Sequence, residues 1–192
     1  MKKNRRPPGD RSVLIIAFII CALVLGALML KKYEARHQKP PVSPPPQQQG
    51  AVLVTLFFAS PDGGALVREG REIDACGEPS ECIEDVLDEL INGPLGNLTP
   101  TLPSTTTVRD VRVEGEKLLI DLGDEIVKGL PGGSNSEMLA VYSIVDTVAI
   151  NFPRIKLVRF TINGKTVETL NGHLDLSEPL QPDFSLEKKP QG

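Results

Sequence analysis

The chain has few of the residues on which most binding and catalytic chemistry depends. It contains no tryptophan, and aromatic side chains make up only 4% of its 192 residues. Flat aromatic side chains are the usual surface for stacking sugars and unpaired bases, so this composition argues against either ligand. There are two histidines, His37 and His173. That is too few for a catalytic zinc site, and a serine triad would depend on His173 alone. We therefore expect no metal, no other cofactor and no small-molecule substrate.

The two ends of the chain carry opposite charge. Residues 1–50 hold nine basic and two acidic side chains, a net charge of +7, whereas residues 51–192 hold twelve and twenty-three, a net charge of −11. A region this acidic is a poor partner for DNA or RNA, because phosphate binding depends on basic side chains. We expect no nucleic-acid partner.

One long apolar run lies inside the basic part. Residues 13–30 (VLIIAFIICALVLGALML) carry no charge, and as a helix they would span about 27 Å, close to the hydrocarbon core of about 30 Å. A cleaved signal peptide is the alternative, but residues 27–30 continue the apolar run where a polar cleavage region belongs. A lipoprotein anchor on Cys21 is disfavoured, because isoleucines precede it where a small residue is needed. We predict a single-pass transmembrane helix at 13–30.

The flanking charges favour a cytoplasmic amino terminus. Five basic residues precede the run and four follow it, so the positive-inside rule sets the orientation by a small margin only. We predict a basic cytoplasmic tail at 1–12 and a juxtamembrane stem with a proline-rich linker at 31–50. Residues 40–49 contain five prolines, which favour an extended polyproline II spacer. The carboxy-terminal domain would then lie outside the cytoplasmic (inner) membrane, in the periplasm or its equivalent.

Residues 51–180 have the pattern of one folded domain. Apolar alternation and helical spacing predict the order β-β-α-β-β-α-β-β, with a hairpin turn at Asn163-Gly164. Ser80 is the predicted cap of the first helix, and Ser134 with Glu137 forms a predicted capping box for the second. The order indicates an α+β fold, a two-layer arrangement with two helices on one face of a sheet. Residues 181–192 are polar and are predicted to be a flexible tail.

Two cysteines lie close together in this domain. Cys76 and Cys82 are six positions apart, and an oxidising compartment would allow a disulfide that adds about 2 kcal/mol of stability. The alternative is a pair of reduced, partly buried thiols.

One group of carboxylates could serve an enzyme. Asp121, Asp124 and Glu125 are the one tight group of carboxylates worth considering as a glycosidase-like acid and base, and in that role they would line a groove acting on the cell wall. The alternative is that they cap turns at a strand exit and face water.

Several short strings together resemble the GerMN domain family of sporulation and spore germination. They are VTLFF at 54–58, LINGP at 90–94, Leu102-Pro103, LLIDL at 118–122, Glu137, IVDT at 144–147, ING at 162–164 and GH at 172–173. Their order and spacing carry the resemblance, which covers about residues 51–180.

The resemblance implies an α+β module, similar to ring-building motifs of secretion-like assemblies, that works by interaction outside the cytoplasmic membrane. It implies no catalytic residue. It marks family-motif positions of unknown role at Asp121, Glu137, Thr147 and His173, and turn positions at Gly93, Pro94, Gly164 and Gly172. We therefore expect a membrane-anchored, non-catalytic module of the cell envelope that assembles with itself or with protein partners, in sporulation or germination. A cell-wall enzyme or cell-wall binding module is the alternative. The sporulation protein of the family is a lipoprotein with tandem copies, whereas this chain has one copy.

Overall fold

The computed structural model describes residues 18, 23–25 and 50–188. The chain divides into two units, Met1–Gln47 and Gln48–Gly192. In the first unit, Phe18 and residues 23–25 are helical and exposed. No helix within the described residues is long and apolar enough to cross a membrane. The predicted transmembrane helix at 13–30 lies outside the described residues except for these four positions, and so do the predicted tail at 1–12 and residues 31–49 of the stem and linker.

The second unit contains six strands, three α-helices and one 3-10 helix in its described part. In chain order they are β1 (Ala51–Ala59), β2 (Leu66–Asp74), α1 (Pro79–Asn92), β3 (Val108–Glu114), β4 (Lys117–Leu122), α2 (Glu125–Gly129), α3 (Ser134–Asn151), β5 (Leu157–Ile162), β6 (Lys165–Thr166) and the 3-10 helix Phe184–Leu186. The predicted order of strands and long helices agrees with this, and α2 is an additional short helix.

The strands form two sheets, which corrects the single sheet expected from the sequence. β1 and β2 form an antiparallel hairpin by themselves, and the other sheet has the order β3-β4-β5-β6. Within it β4 and β5 run parallel, and the neighbouring pairs run antiparallel. A parallel pair needs a long crossover, and here α2 and α3 supply it.

Helix α1 forms where the apolar spacing predicts it. Its inward residues Ile83, Val86, Leu87 and Leu90 are buried, and the helix packs against β1 and β3. Its start differs from the prediction: Glu78 is the N-cap and Pro79 occupies the first turn, so Ser80 does not cap the helix. Proline is favoured there because its missing N–H would have no helical partner.

Helix α3 is buried on nearly every side, unlike a helix covering one face of a sheet. Ten of its residues are buried, and the set includes Ser143, Asp146 and Thr147 beside the apolar side chains. It packs against both β1 and α1. Leu139 joins a small second core with Phe57 and Leu66 of the hairpin, whereas Val141, Val145 and Val148 belong to the main core. The helix therefore joins two apolar clusters.

The segment that follows Leu180 is anchored, in contrast to the flexible tail predicted over 181–192. The N–H of Lys188 donates to the carbonyl oxygen of Leu66 at 2.8 Å, and Glu187 forms an ion pair with Arg68 at 2.7 Å. The ring of Phe184 lies 6.0 Å from that of Phe57. Residues 181–188 thus cover part of the hairpin, while residues 189–192 lie outside the described residues.

Candidate functional site

Asp121 is the centre of a polar cluster on the four-stranded sheet. It lies on β4 opposite Thr161 of β5. One oxygen, Oδ1, accepts hydrogen bonds from the Thr161 hydroxyl and the Gly164 N–H, both at 2.7 Å. The other, Oδ2, accepts one from Arg109 Nε at 3.3 Å. The carboxylate therefore ties the β5–β6 turn to the middle of the sheet.

The local backbone explains why this turn needs a partner. Asn163 and Gly164 both have positive φ, 50° and 75°, as the predicted type I′ hairpin requires. A two-residue strand such as β6 holds few ladder hydrogen bonds. The bond from Gly164 to Asp121 fixes the turn from the sheet side, which gives the family-motif aspartate a structural role.

The same contacts keep Asp121 ionised. Burial by itself would raise its pKa, but the hydrogen bonds from Gly164 and Thr161 and the charge of Arg109 outweigh burial and lower the pKa below the ordinary value of 3.8. A general acid needs a raised pKa. At neutral pH Asp121 can accept hydrogen bonds and pair with a cation, but it cannot donate a proton.

The other two carboxylates of the predicted catalytic group bind neighbouring side chains. Asp124 forms an ion pair with Lys128 one turn along α2, at 2.6 Å, and Glu125 accepts a hydrogen bond from the Thr107 hydroxyl at 3.2 Å. A shallow cavity of about 300 Å³ lies beside Asp121, and it is lined by neither Asp124 nor Glu125. The structure does not gather the three carboxylates around one cleft.

Glu137 anchors a distant loop, and it does not cap its own helix. Its side chain is fully buried. Oε1 accepts the N–H groups of Leu170 and Asn171 at 2.8 and 3.0 Å, and Oε2 accepts that of His173 at 2.9 Å. The capping box predicted with Ser134 is therefore wrong, since α3 begins after Gly133 without a side-chain cap. Burial alone would raise the pKa of Glu137, but these backbone donors outweigh it and lower the pKa.

The predicted position His173 takes part through its backbone, while its side chain is exposed. The adjacent Gly172 has φ 90°, and its N–H donates to the Thr169 hydroxyl at 2.9 Å. The Gly-His pair is thus the tip of the loop that Glu137 holds. The motif residues Glu137, Gly172 and His173 form one structural unit.

Thr147 forms a hydrogen bond with the backbone at the outer edge of strand β1. Its hydroxyl oxygen accepts the Phe57 N–H at 3.1 Å, and Asn151 one turn later accepts the Thr55 N–H at 2.9 Å and donates to the Thr55 carbonyl at 2.7 Å. Strand edges present unpaired backbone groups, and here side chains of helix α3 satisfy those of Thr55 and the N–H of Phe57. Sequence analysis identified Thr147 but missed Asn151, since only the pairing of α3 with β1 gives that amide its role.

A cluster around Gly93 closes helix α1. Gly93 has φ 86° and ends the helix, with Pro94 following. Its carbonyl oxygen accepts Arg71 Nη2 at 3.0 Å, and Arg71 Nη1 donates to Glu89 Oε2 at 2.9 Å. Arg71 is buried, and it was missed because a single arginine in a strand gives no sequence signal of burial.

Cys76 and Cys82 are joined by a disulfide in the structure, with their Cα atoms 5.3 Å apart. The bridge closes the connection between β2 and α1. Both sulfurs are consumed by it, so neither cysteine offers a nucleophile. Among residues 18, 23–25 and 50–188, no three His, Cys, Asp or Glu side chains are grouped to hold a metal ion.

Asp146 is a further buried carboxyl, and sequence analysis did not single it out. Its Oδ1 accepts the Asp183 N–H at 2.9 Å, and its Oδ2 has no hydrogen-bond partner in the described part of the chain. Burial raises its pKa to about 6. The group sits under the anchored segment 181–188 and holds that segment in place.

This arrangement belongs to a known family. The sequence matches the family model Germane, described as sporulation and spore germination, over residues 55–168, more than half of the chain. The chain belongs to this family. Its structural unit is the GerMN domain, as the resemblance of the short strings had indicated. A search of curated proteins gives no match.

Solved structures share the GerMN fold. The tandem GerMN domains of the sporulation protein GerM from Bacillus subtilis superpose with a TM-score of 0.54 at 20% identity, over 69% of this chain and 46% of that chain. The first GerMN domain of GerM alone gives 0.53 at 18% identity, over 68% and 97%. A candidate lipoprotein from Clostridium perfringens gives 0.51 at 23% identity, over 72% and 94%. The chain spans about half of the tandem GerM protein, and these likenesses establish the fold.

Proposed function

We propose that this GerMN protein is a membrane-anchored, extracytoplasmic module of the cell envelope that acts by binding other proteins and has no catalytic activity. The observation that carries the proposal is the use of the family-motif carboxylates. Asp121 and Glu137 both hold loops through backbone N–H groups and both have lowered pKa values. Carboxylates that hold loops in place and stay ionised suit a binding scaffold better than an acid–base enzyme, which needs a carboxyl group with a raised pKa.

Three further observations support the location outside the cytoplasm. The apolar run 13–30 has the length and basic flanks of an anchor. The Cys76–Cys82 disulfide suits an oxidising compartment. One protein of the same fold is named as a candidate lipoprotein. The proposed process is sporulation or germination, on the basis of the family description.

Cross-linking in living cells tests the binding role. A photoreactive amino acid placed at exposed positions of the anchored protein should give discrete cross-linked products, whose partners are identified by mass spectrometry. Either self-assembly or a different envelope protein supports the proposal. If no position gives a product although the protein is folded and expressed, the binding role is wrong.

Topology and enzyme activity need separate tests. A cysteine placed at exposed Glu168, with Cys21 replaced by alanine and with Cys76 and Cys82 left intact, should react with a membrane-impermeant maleimide in intact cells. A cysteine at position 4 should react only after lysis. Purified protein incubated with peptidoglycan should release no muropeptides. Release that disappears in Asp121→Asn, with the fold retained, would establish the cell-wall enzyme instead.

A further inference from the structure

The first residues of strand β1 leave part of a sheet edge open. In the antiparallel pairing with β2, alternate residues point their backbone groups toward β2, as the bond from the Ala75 N–H to the Gly50 carbonyl shows at 3.0 Å. Ala51, Leu53 and Thr55 therefore point theirs outward. Asn151 satisfies Thr55, but no described residue supplies a partner for the outward groups of Leu53 or Ala51.

The open edge is also apolar. Leu53 is 73% exposed and Val52 is 45% exposed, whereas Val54, Leu56 and Phe58 on the same strand are buried. A cavity of about 220 Å³ lies next to the edge, and its walls include Val86, Phe152 and the disulfide. Unpaired backbone groups beside aliphatic side chains and a cavity are the features that bind an added strand in peptide-binding domains.

A second groove adjoins this cavity at Ile73 and is strongly acidic. Its volume is about 640 Å³, and it is lined by Ala51 and by the carboxylates of Glu72, Asp74, Asp85, Asp88 and Glu89. Among the residues that the structure describes, no Lys or Arg lines this groove. Burial raises the pKa of Asp88, and the charges of Asp85 and Glu89 raise it further. A cation in the groove would relieve this repulsion.

We propose that the start of β1 is a docking site for an extended segment of a partner protein that carries alternating apolar side chains and lysine or arginine. The segment pairs with the outward backbone groups of Ala51 and Leu53 and places an apolar side chain in the cavity beside Leu53. Its basic residues reach the acidic groove at the open end of the hairpin. This inference rests on the proposed binding role and names the surface and the chemistry of the partner.

Two other occupants are disfavoured, a second copy by its charge and the chain's own linker by its proline content. A second copy would bring two regions of net charge −11 together, and like-charge contacts oppose association. The chain's own linker at 40–49 has five prolines in ten residues, and proline has no N–H to donate to a sheet edge. A separate basic and apolar strand meets neither obstacle.

Peptide binding to the purified full-length chain in mild detergent tests the proposal. The probes are fluorescein-labelled eight-residue peptides that alternate Lys with Val, alternate Glu with Val, or alternate Lys with backbone N-methylated Val. Fluorescence anisotropy should show that the first peptide binds at least tenfold more tightly than the other two. The Ala51 and Leu53 amides should gain protection from hydrogen exchange on binding.

Matched variants separate the three contributions. Leu53→Pro removes an outward N–H together with the leucine side chain, whereas Leu53→Thr removes the leucine side chain and keeps the N–H. Leu53→Pro should weaken binding at least tenfold and more than Leu53→Thr does, and Leu95→Thr is the control at a residue that is 81% exposed. Asp85→Asn combined with Asp88→Asn should weaken binding about fivefold, whereas Glu114→Gln combined with Glu116→Gln should not. Circular dichroism confirms that each variant is folded.

Several results would overturn the inference. Equal binding of the N-methylated peptide, or equal binding by Leu53→Pro, would mean that no strand is added. Cross-links from Leu53 to Leu53 would identify a second copy as the occupant. Binding that appears only after removal of residues 31–49 would identify the chain's own stem. If the cellular cross-linking experiment finds partners but no peptide binds, this inference fails while the proposed binding role stands.

Discussion

Replacing Glu137 with glutamine should destabilise the GerMN domain by about 3 kcal/mol at pH 7. The buried carboxylate accepts three backbone N–H groups, two at Oε1 and one at Oε2. Hydrogen bonds to charged groups contribute about 1.5–3 kcal/mol each. Glutamine can keep its carbonyl oxygen toward Leu170 and Asn171, but its amide then faces the His173 N–H. The variant loses the charge-assisted bond from His173 and weakens the bonds from Leu170 and Asn171, which then reach a neutral oxygen. It also places the glutamine NH2 group against the His173 N–H, so that two donors face each other.

The loss should depend on pH in a defined direction. The pKa of Glu137 is lower in the folded chain than the ordinary value of 4.5, so its ionised form stabilises the fold. This contribution is complete above about pH 4.5 and disappears as the pH falls through the folded pKa. The difference in the free energy of unfolding between wild type and Glu137→Gln should therefore shrink below pH 4.5.

Urea denaturation followed by circular dichroism measures both effects. Glu116→Gln, at an exposed position, is the matched control and should change stability by less than about 0.5 kcal/mol. Hydrogen exchange should show the loop at 169–174 opening more often in Glu137→Gln. A loss below about 1 kcal/mol at pH 7, or a loss unchanged at pH 3.5, would refute the role assigned to this carboxylate.

Four further changes test the remaining contacts. Asp146 has a folded pKa of about 6 against an ordinary 3.8. Its contribution to the free energy of unfolding should therefore fall by about 2 kcal/mol as the pH rises from 4 to 7. Urea titrations of Asp146→Asn should lack this dependence on pH. Thr147→Val keeps the side-chain shape but orphans the buried Phe57 N–H, and should cost about 1–3 kcal/mol in thermal unfolding. Gly164→Ala meets no neighbouring atom but has φ 75°, so backbone strain alone should cost about 1 kcal/mol in the same assay, and Gly50→Ala should cost less. Reducing the Cys76–Cys82 bridge should lower stability by about 2 kcal/mol, and free thiols at Cys76 and Cys82 in protein purified without reductant would contradict the bridge.

Local patterns predicted the elements but not their long-range partners. The spacing of Ile83, Val86, Leu87 and Leu90 defined α1 because a helix that covers a core on one side has a periodic apolar face. The same reasoning was less informative for α3, because a helix buried on nearly all sides has no polar face to set the period. Turn residues between β1 and β2 favour their pairing, but periodicity gives no information on how hairpins join into sheets, so the separation of the β1–β2 hairpin from the four-stranded sheet was not predicted.

The role of Glu137 shows why much of the candidate site could not be predicted. A Ser-x-x-Glu string at a helix start is a capping signal, and here it is followed by a loop whose three N–H groups meet the same carboxylate 33 to 36 residues later. Asp121 reaches Gly164 over 43 residues in the same way. One sequence shows that these residues match a family pattern, but their backbone partners emerge only when the chain is folded.

The dependence of strand β1 on helix α3 has a consequence for biosynthesis. The backbone groups of Thr55 have no partner until Asn151 has been synthesised, 96 residues later. At about 5–20 residues per second, this delay lasts roughly 5–20 seconds. During that interval the β1–β2 hairpin can already form, with its outer edge bare and able to pair with another nascent chain. The emerging domain is therefore most vulnerable to aggregation between the appearance of β2 and the docking of α3, and a chaperone acting in that interval would protect it best.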